Sequence, residues 1–198
     1  MASSGPNSGG TFANEASVGT VDWNNPTRAV ASDDSKATCY VGLAAVTTHY
    51  LKATNFGFAI PVGATIVGIL VEFEKGRADE FLPKDYSVRI VKDGTIQGDE
   101  KADTVTSWPA SDTYVSHGGA ADLWGLSWTL DDINDSTFGV VIAASLASWA
   151  TARIDHLRIT VYYTPSVLNF NKVKGISIGS ISKINGVLLT DIAKINGV

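Results

Sequence analysis

The chain has one cysteine in 198 residues, Cys39, so no intrachain disulfide can brace it. Cysteine usage therefore gives no sign of an oxidising compartment. Cationic charge is sparse as well. Fifteen Lys and Arg stand against 20 Asp and Glu, a formal net charge of -5, and no basic run occurs. Nucleic-acid binding needs a basic patch or stripe, so that class is set aside. Long apolar runs are missing: the longest are short, as in Val140–Ala144. A membrane-spanning helix needs roughly 20 such residues, so no membrane partner is expected. The opening MASSGPNSGG has no basic segment followed by an apolar one and does not read as a secretory signal. Without such a signal the sequon Asn134-Asp135-Ser136 reads as a chance match. Finally, no stretch sustains a 3.6-residue apolar period over ten residues, which removes the amphipathic helix as an organising element.

What is present has a period of two. In Arg153–Tyr163, Leu157, Ile159, Val161 and Tyr163 fall on one face, and His156, Arg158, Thr160 and Tyr162 on the other. That alternation predicts a strand with one buried and one solvated face. Pro165 ends it, because proline cannot donate to a sheet ladder. Thr65–Glu74 predicts a second long strand, with Val67, Ile69, Val71 and Phe73 toward the core. Tyr86–Val91 groups Tyr86, Val88 and Ile90, and Asp93-Gly94 then turns the chain into Thr95-Ile96-Gln97 as a hairpin. Phe138–Ala143 sets Phe138, Val140 and Ile142 on one side. Shorter strands are expected at Ala37–Val41 and Thr48–Thr54. Thr129 reads as the N-cap of one helical turn, with Asp131 and Asp132 at its positive end. Gly98–Trp128 reads as a long loop, and residues 1–20, rich in Gly and Ser, as a flexible N-terminal arm. Together these predict an all-β protein: an antiparallel β-sandwich over residues 21–165 and a β-prone C-terminal extension over 166–198.

The extension repeats itself. Ile181–Val187, ISKINGV, returns as Ile192–Val198, IAKINGV, eleven residues later. Asn-Gly is the favoured two-residue hairpin turn, so Asn185-Gly186 should fold Ser182–Ile184 against Val187–Leu189. The segment is too short for a core of its own. Its apolar residues Ile176, Ile178, Ile181, Ile184, Val187, Leu189, Ile192 and Ile195 need a surface to cover them. Two arrangements satisfy that need: strand addition to a neighbouring subunit, or an extra hairpin on the chain's own sandwich. The first is the expectation carried forward.

Several of these segments carry a resemblance. The helical turn, the strand opening Phe138-Gly139-Val140 and the closing Ile154–Tyr163 resemble jelly-roll sandwiches of the galactose-binding-like kind. The IxKINGV endings resemble C-terminal tails of virion-associated proteins of tailed bacteriophages. FGFAIPVGATIVGILVEFEK, WGLSWTLDDINDSTFGVVI and RIDHLRITVYYT are similar to sandwich domains of phage structural proteins, so the resemblance covers residues 23–198. It implies a non-enzymatic virion structural protein, assembled in the host cytoplasm, in capsid decoration, neck or tail and fibre attachment. The implied partners are other virion proteins and copies of itself. It brings no catalytic residue, cofactor or metal to carry over.

The residues themselves offer rival chemistries. Gly175-Ile176-Ser177-Ile178-Gly179 matches the G-x-S-x-G elbow of hydrolases, and His117-Gly118-Gly119 matches the style of their oxyanion loops. The elbow needs a strand before it and a helix after it, and the triad histidine should follow the serine. His49, His117 and His156 all precede it, and no βα alternation exists, so no catalytic residue is assigned. No two histidines have the i,i+2 or i,i+4 spacing of a metal pair. Asp33, Asp34, Asp131, Asp132 and Asp135 sit in predicted turns where calcium would take loop oxygens, but no EF-hand loop occurs and they read as solvated turn residues. Cys39, in a predicted strand, reads as a small buried side chain. Trp108, Trp124, Trp128 and Trp149 gather around the middle loop with Tyr114. Trp124 and Trp128 are expected to anchor it. Trp149, between Ser148 and Ala150, is the candidate contact for a surface glycan, and with it stands the alternative of a carbohydrate-binding or host-surface adhesin module.

Overall fold

The computed structural model describes residues 1–166 and, beyond them, the backbone of four two-residue strands. The first unit runs from Met1 to Pro165. In chain order its strands are β1 (Ala2–Ser8), β2 (Thr11–Glu15), β3 (Ala37–Tyr40), β4 (Val46–Thr47), β5 (Tyr50–Thr54), β6 (Thr65–Arg77), β7 (Lys84–Lys92), β8 (Thr95–Gln97), β9 (Thr113–Gly119), β10 (Gly139–Leu146) and β11 (Thr151–Thr164). A 3₁₀ turn at Pro26–Ala29 and one short helix, α1 (Leu130–Asn134), interrupt them. No helix among the described residues is long and apolar enough to cross a membrane.

The strands form two antiparallel sheets. In one, the order is β1-β11-β6-β9, and β3 shares with β1 the same edge of β11. In the other, the order is β2-β5-β10-β7-β8, with β4 continuing the edge of β10 that β5 occupies. The eight strands β3, β5 and β6 to β11 thus wind as β3-β11-β6-β9 over β5-β10-β7-β8, the order of a jelly roll. The inner faces meet in one core, whose largest buried side chains include Trp23, Trp124, Phe73, Phe138, Leu51 and Leu157.

Three bulges decide which residues face that core. In β11 the pairing with β6 slips between Ile154 and His156, leaving Asp155 as the extra residue. Ile154 and Leu157 can then both be buried while Asp155 points away from the core. In β6 the slip falls at Val67, so Ile66 joins the core in place of the expected Val67, which is half-buried. In β7 it falls at Tyr86. Val88 and Ile90 are buried as expected, but Tyr86 is exposed, and Asp85 turns inward instead. Strict alternation predicts none of these, because a bulge reverses the parity of everything beyond it.

The strand β10 is buried on both faces. Val140 and Ile142 enter the main core, while Val141 and Ala143 join Tyr50 and Val91 in a second cluster outside the sheet. Val18 and Ile96 pack against that cluster. The expected hairpin is present: Asp93 and Gly94 have φ of 51° and 72°, the pair of positive angles a type I′ turn requires. Helix α1 has the expected cap. Thr129 Oγ1 accepts from the Asp132 backbone N–H, and the Asp132 carboxylate accepts from that of Thr129, a reciprocal capping box.

Two expectations change. The first residues are not a free arm, because β1 pairs with β11 and β2 with β5, and Phe12 enters the core. The predicted loop Gly98–Trp128 contains β9, an edge strand paired only with β6. Its sequence, TYVSHGG, ends in two glycines and lacks an apolar stripe, so periodicity passes over it.

The second unit, Ser166–Val198, holds two hairpins. β12 (Lys172–Val173) pairs with β13 (Ile176–Ser177), and β14 (Lys183–Ile184) pairs with β15 (Val187–Leu188); Asn185 and Gly186, the expected turn, lie outside the described residues. The two hairpins repeat at eleven residues, Lys172 to Lys183 and Ser177 to Leu188. Ile178, Ile181, Leu189, Ile192 and Ile195 lie outside the described residues, as do the side chains of Ile176, Ile184 and Val187.

A free arm and a woven one differ in energy. Phe12→Ala removes a buried ring, so it should cost about 3 kcal/mol in urea unfolding. A change near zero would return residues 1–20 to the status of an arm.

Candidate functional site

The loops 41–45, 78–83, 103–112 and 147–150 all lie at one end of the sandwich, where β3, β6 and β10 finish and β4, β7, β9 and β11 begin. They are tied to one another through the backbone. Trp149 N–H donates to Gly42 O at 2.7 Å, and Val41 N–H to Ala150 O at 3.1 Å. Ala78 N–H donates to Thr151 O at 3.3 Å, and Trp108 N–H to Pro83 O at 2.8 Å. Among the described residues, this end carries most of the exposed large apolar side chains: Tyr40, Leu43, Phe81, Leu82, Tyr86, Val105 and Trp149. Leu43 is 82% exposed and Trp149 44%. Trp149 also has φ of 65°, unusual for a bulky residue and held here by its bond to Gly42. Strand β11 ends at Thr164, at the opposite end of the sandwich.

Beneath this tip lies a charged cluster inside the sandwich. Lys75 follows Phe73 on the core face of β6, and Asp85 is turned inward by the bulge in β7. The two form an ion pair, with side chains 3% and 1% exposed. Trp108 Nε1–H donates to Asp85 Oδ1 at 2.7 Å, and the Asp103 backbone N–H donates to Oδ2 at 3.2 Å. Lys75 Nζ stands 4.9 Å from the centre of the Trp108 ring, a cation–π distance, and that ring stacks on Trp23. His117 lies across from them, with Nε2 3.6 Å from Asp85 Oδ2. Its Nδ1 is 2.9 Å from Lys101 O. A carbonyl only accepts, so Nδ1 carries the proton and Nε2 of the neutral ring has a free lone pair. A cavity of about 90 Å³ opens beside the pair, lined by Thr106, Ser107, Pro109 and Val115 among others.

Burial sets the protonation here. It pushes the Lys75 amine down, against the opposing pull of Asp85. It also pushes His117 down, helped by the Lys75 charge, so the His117–Asp85 contact is not an ion pair. At the solvent edge, Asp103 is held down to about 2, first by its hydrogen bond to the Thr106 side chain.

The outer face of β11, expected to be solvated, satisfies itself instead. His156 and Thr160 are buried. His156 contacts Ser8 Oγ and Tyr114 Oη, both at 2.7 Å. Arg158 grips Glu72 with two bonds, 2.9 and 3.2 Å, and lies 3.8 Å from the centre of the Tyr114 ring.

The other singled-out residues separate. Trp124 is buried and donates from Nε1 to Ile69 O at 3.0 Å; Trp128 is half-buried, edge-on to Phe138. His117-Gly118-Gly119 is a packing device. A Cβ on Gly118, at φ of 75°, would stand 2.4 Å from Ile69 O and 2.6 Å from the Trp124 indole nitrogen. Asp33 and Asp135 accept from backbone N–H groups two residues on, and no group of three metal-binding side chains occurs among the described residues. Cys39 is buried, and burial raises its thiol to about 11. The residues 175–179 of the G-x-S-x-G match lie outside the described residues apart from the Ile176–Ser177 backbone. Comparison with family models, curated proteins and solved structures gives no match.

His156 supplies a pH dependence. Burial, then the Arg158 charge, lowers it from its ordinary 6.5, against Glu74, Asp155 and Glu72. The unfolded chain therefore takes up the proton first, and stability falls as pH drops below 6.5. Urea midpoints between pH 7.5 and 5.5 should decline, and His156→Gln should flatten the decline. An unchanged slope in that variant removes His156 as the cause.

Proposed function

We propose that the chain is a non-enzymatic structural protein of a tailed-phage virion, in capsid decoration, the neck, or tail and fibre attachment. In this reading residues 1–165 are displayed and residues 166–198 dock onto neighbouring virion proteins or further copies of the chain. It needs no cofactor or nucleic acid, and its place is the virion, assembled in the host cytoplasm. The observation that carries it is the second unit. Two hairpins with two paired residues per strand, repeated at eleven residues, are marginal on their own. A segment so rich in Ile, Val and Leu is driven onto a partner surface at about 25 cal/mol per Å² of apolar area buried, while its strand edges find backbone partners. The first unit, by contrast, has a continuous core of its own.

Deleting residues 174–198 should leave a sandwich with an unchanged circular dichroism spectrum and melting temperature that no longer enters particles. Normal incorporation of the truncated protein would sink the reading.

A second reading, a carbohydrate-binding or host-surface adhesin module, is favoured by the apolar tip. Aromatic faces stack on sugar rings, and Trp149 stands exposed among Tyr40, Phe81 and Tyr86 at that end. On it, Trp149→Ala abolishes glycan binding with folding intact; a glycan array without binding to the wild-type chain rejects it.

A further inference from the structure

The amine of Lys75 and the carboxyl of Asp85 touch inside the sandwich, in a setting built for more than an ion pair. Both side chains are shut off from solvent. Two N–H donors, Trp108 Nε1 and the Asp103 backbone, hold the two carboxyl oxygens and draw electron density from the carbon between them. His117 Nε2 faces the same carboxyl, is buried, and has no hydrogen-bond partner. Its lone pair is free because Nδ1 is committed to Lys101 O. Phe73 and Trp108 wall the site. The surroundings favour a neutral product, since a buried ion pair carries a desolvation penalty that an amide does not.

We propose that Lys75 Nζ and Asp85 Cγ join in an intramolecular isopeptide bond, with His117 carrying the proton between the two. The atoms balance without any co-reactant. The ammonium first passes one proton to the carboxylate, giving an amine and a carboxylic acid. The Nζ lone pair attacks Cγ, and the carbonyl electron pair moves onto Oδ1, where the Trp108 N–H holds it. His117 Nε2 then takes a proton from Nζ and delivers it to the Oδ2 hydroxyl. The Cγ–Oδ2 bond breaks, the carbonyl reforms on Oδ1, and one water leaves. Nothing is oxidised or reduced. Burial favours the reactive forms, the uncharged amine and the neutral imidazole. The product is a covalent strut between the sheets, from β6 to β7, that closes loop 78–83 into a ring.

Mass spectrometry of the full chain tests this. The denatured protein should be lighter than its sequence by one water. Trypsin should fail to cut after Lys75, leaving peptide 53–77 joined to peptide 85–89. Lys75→Met and Asp85→Ala should each restore the full mass. His117→Gln should keep the wild-type circular dichroism spectrum and slow bond formation roughly 100-fold, followed as the decline of uncross-linked chain after purification. Wild-type protein at full mass, cut by trypsin after Lys75, overturns the proposal even if the variants fail to fold. A water loss that persists in Asp85→Ala overturns it too. Cross-linking at the wild-type rate in His117→Gln overturns the role given to that histidine.

Discussion

The ladder between β11 and β6 is the constraint on which the rest of the sandwich depends. These are the two longest strands, and they pair from Ala152–Arg77 at one end to Thr164–Thr65 at the other. Their inner faces supply Ile69, Val71, Phe73, Leu157, Ile159 and Val161 to the core. Their outer edges accept β9 on one side and β1 with β3 on the other. The opposite sheet has only to present a complementary face, which β5, β7 and β10 do.

The bulges, one in this ladder and one between β7 and β10, show how charge is sorted in this fold. The bulge at Asp155 takes a carboxylate out of the core, and the bulge at Tyr86 brings Asp85 in. Bulges are designed features more often than defects, and the second one makes sense only beside Lys75. An inward lysine on β6 without an inward partner would leave an unpaired ammonium in the interior. Trp108 and the Asp103 backbone N–H then follow from the need to satisfy the remaining lone pairs, and they draw loop 103–109 against the body of the domain. The exposed loop tip therefore rests on a floor braced by buried polar contacts.

Much of this was legible in the amino-acid order. β6, β10, β11, the Asp93-Gly94 hairpin and the Thr129 cap all carry local signals, and local signals survive without tertiary knowledge. The sandwich class follows from them. The parts that stayed hidden are those written between distant residues. β1 and β2 read as a Gly and Ser arm because an edge strand borrows its order from its neighbour rather than from its own propensity. β9 hides behind two glycines, of which Gly118 makes room for the approach of Trp124 to Ile69. The inward turn of Asp85 depends on one extra residue at Tyr86, which periodicity cannot register. Trp149 reads as an exposed loop residue from its flanking Ser and Ala, and it is exposed; the six other apolar residues at the same end form a group only because seven strands begin or finish there.

The antiparallel pairing of β1 with β11 sets Ala2 beside Tyr163, so the two ends of the domain emerge side by side, away from the loop tip. A load applied between the tip and Pro165 would run along the axis of β11. Ladder hydrogen bonds lie across the strands, so such a pull meets the bonds to β1, β3 and β6 all at once, in shear. A pull across the sheet would open them one after another. The domain is thus oriented to resist force applied along the axis of β11.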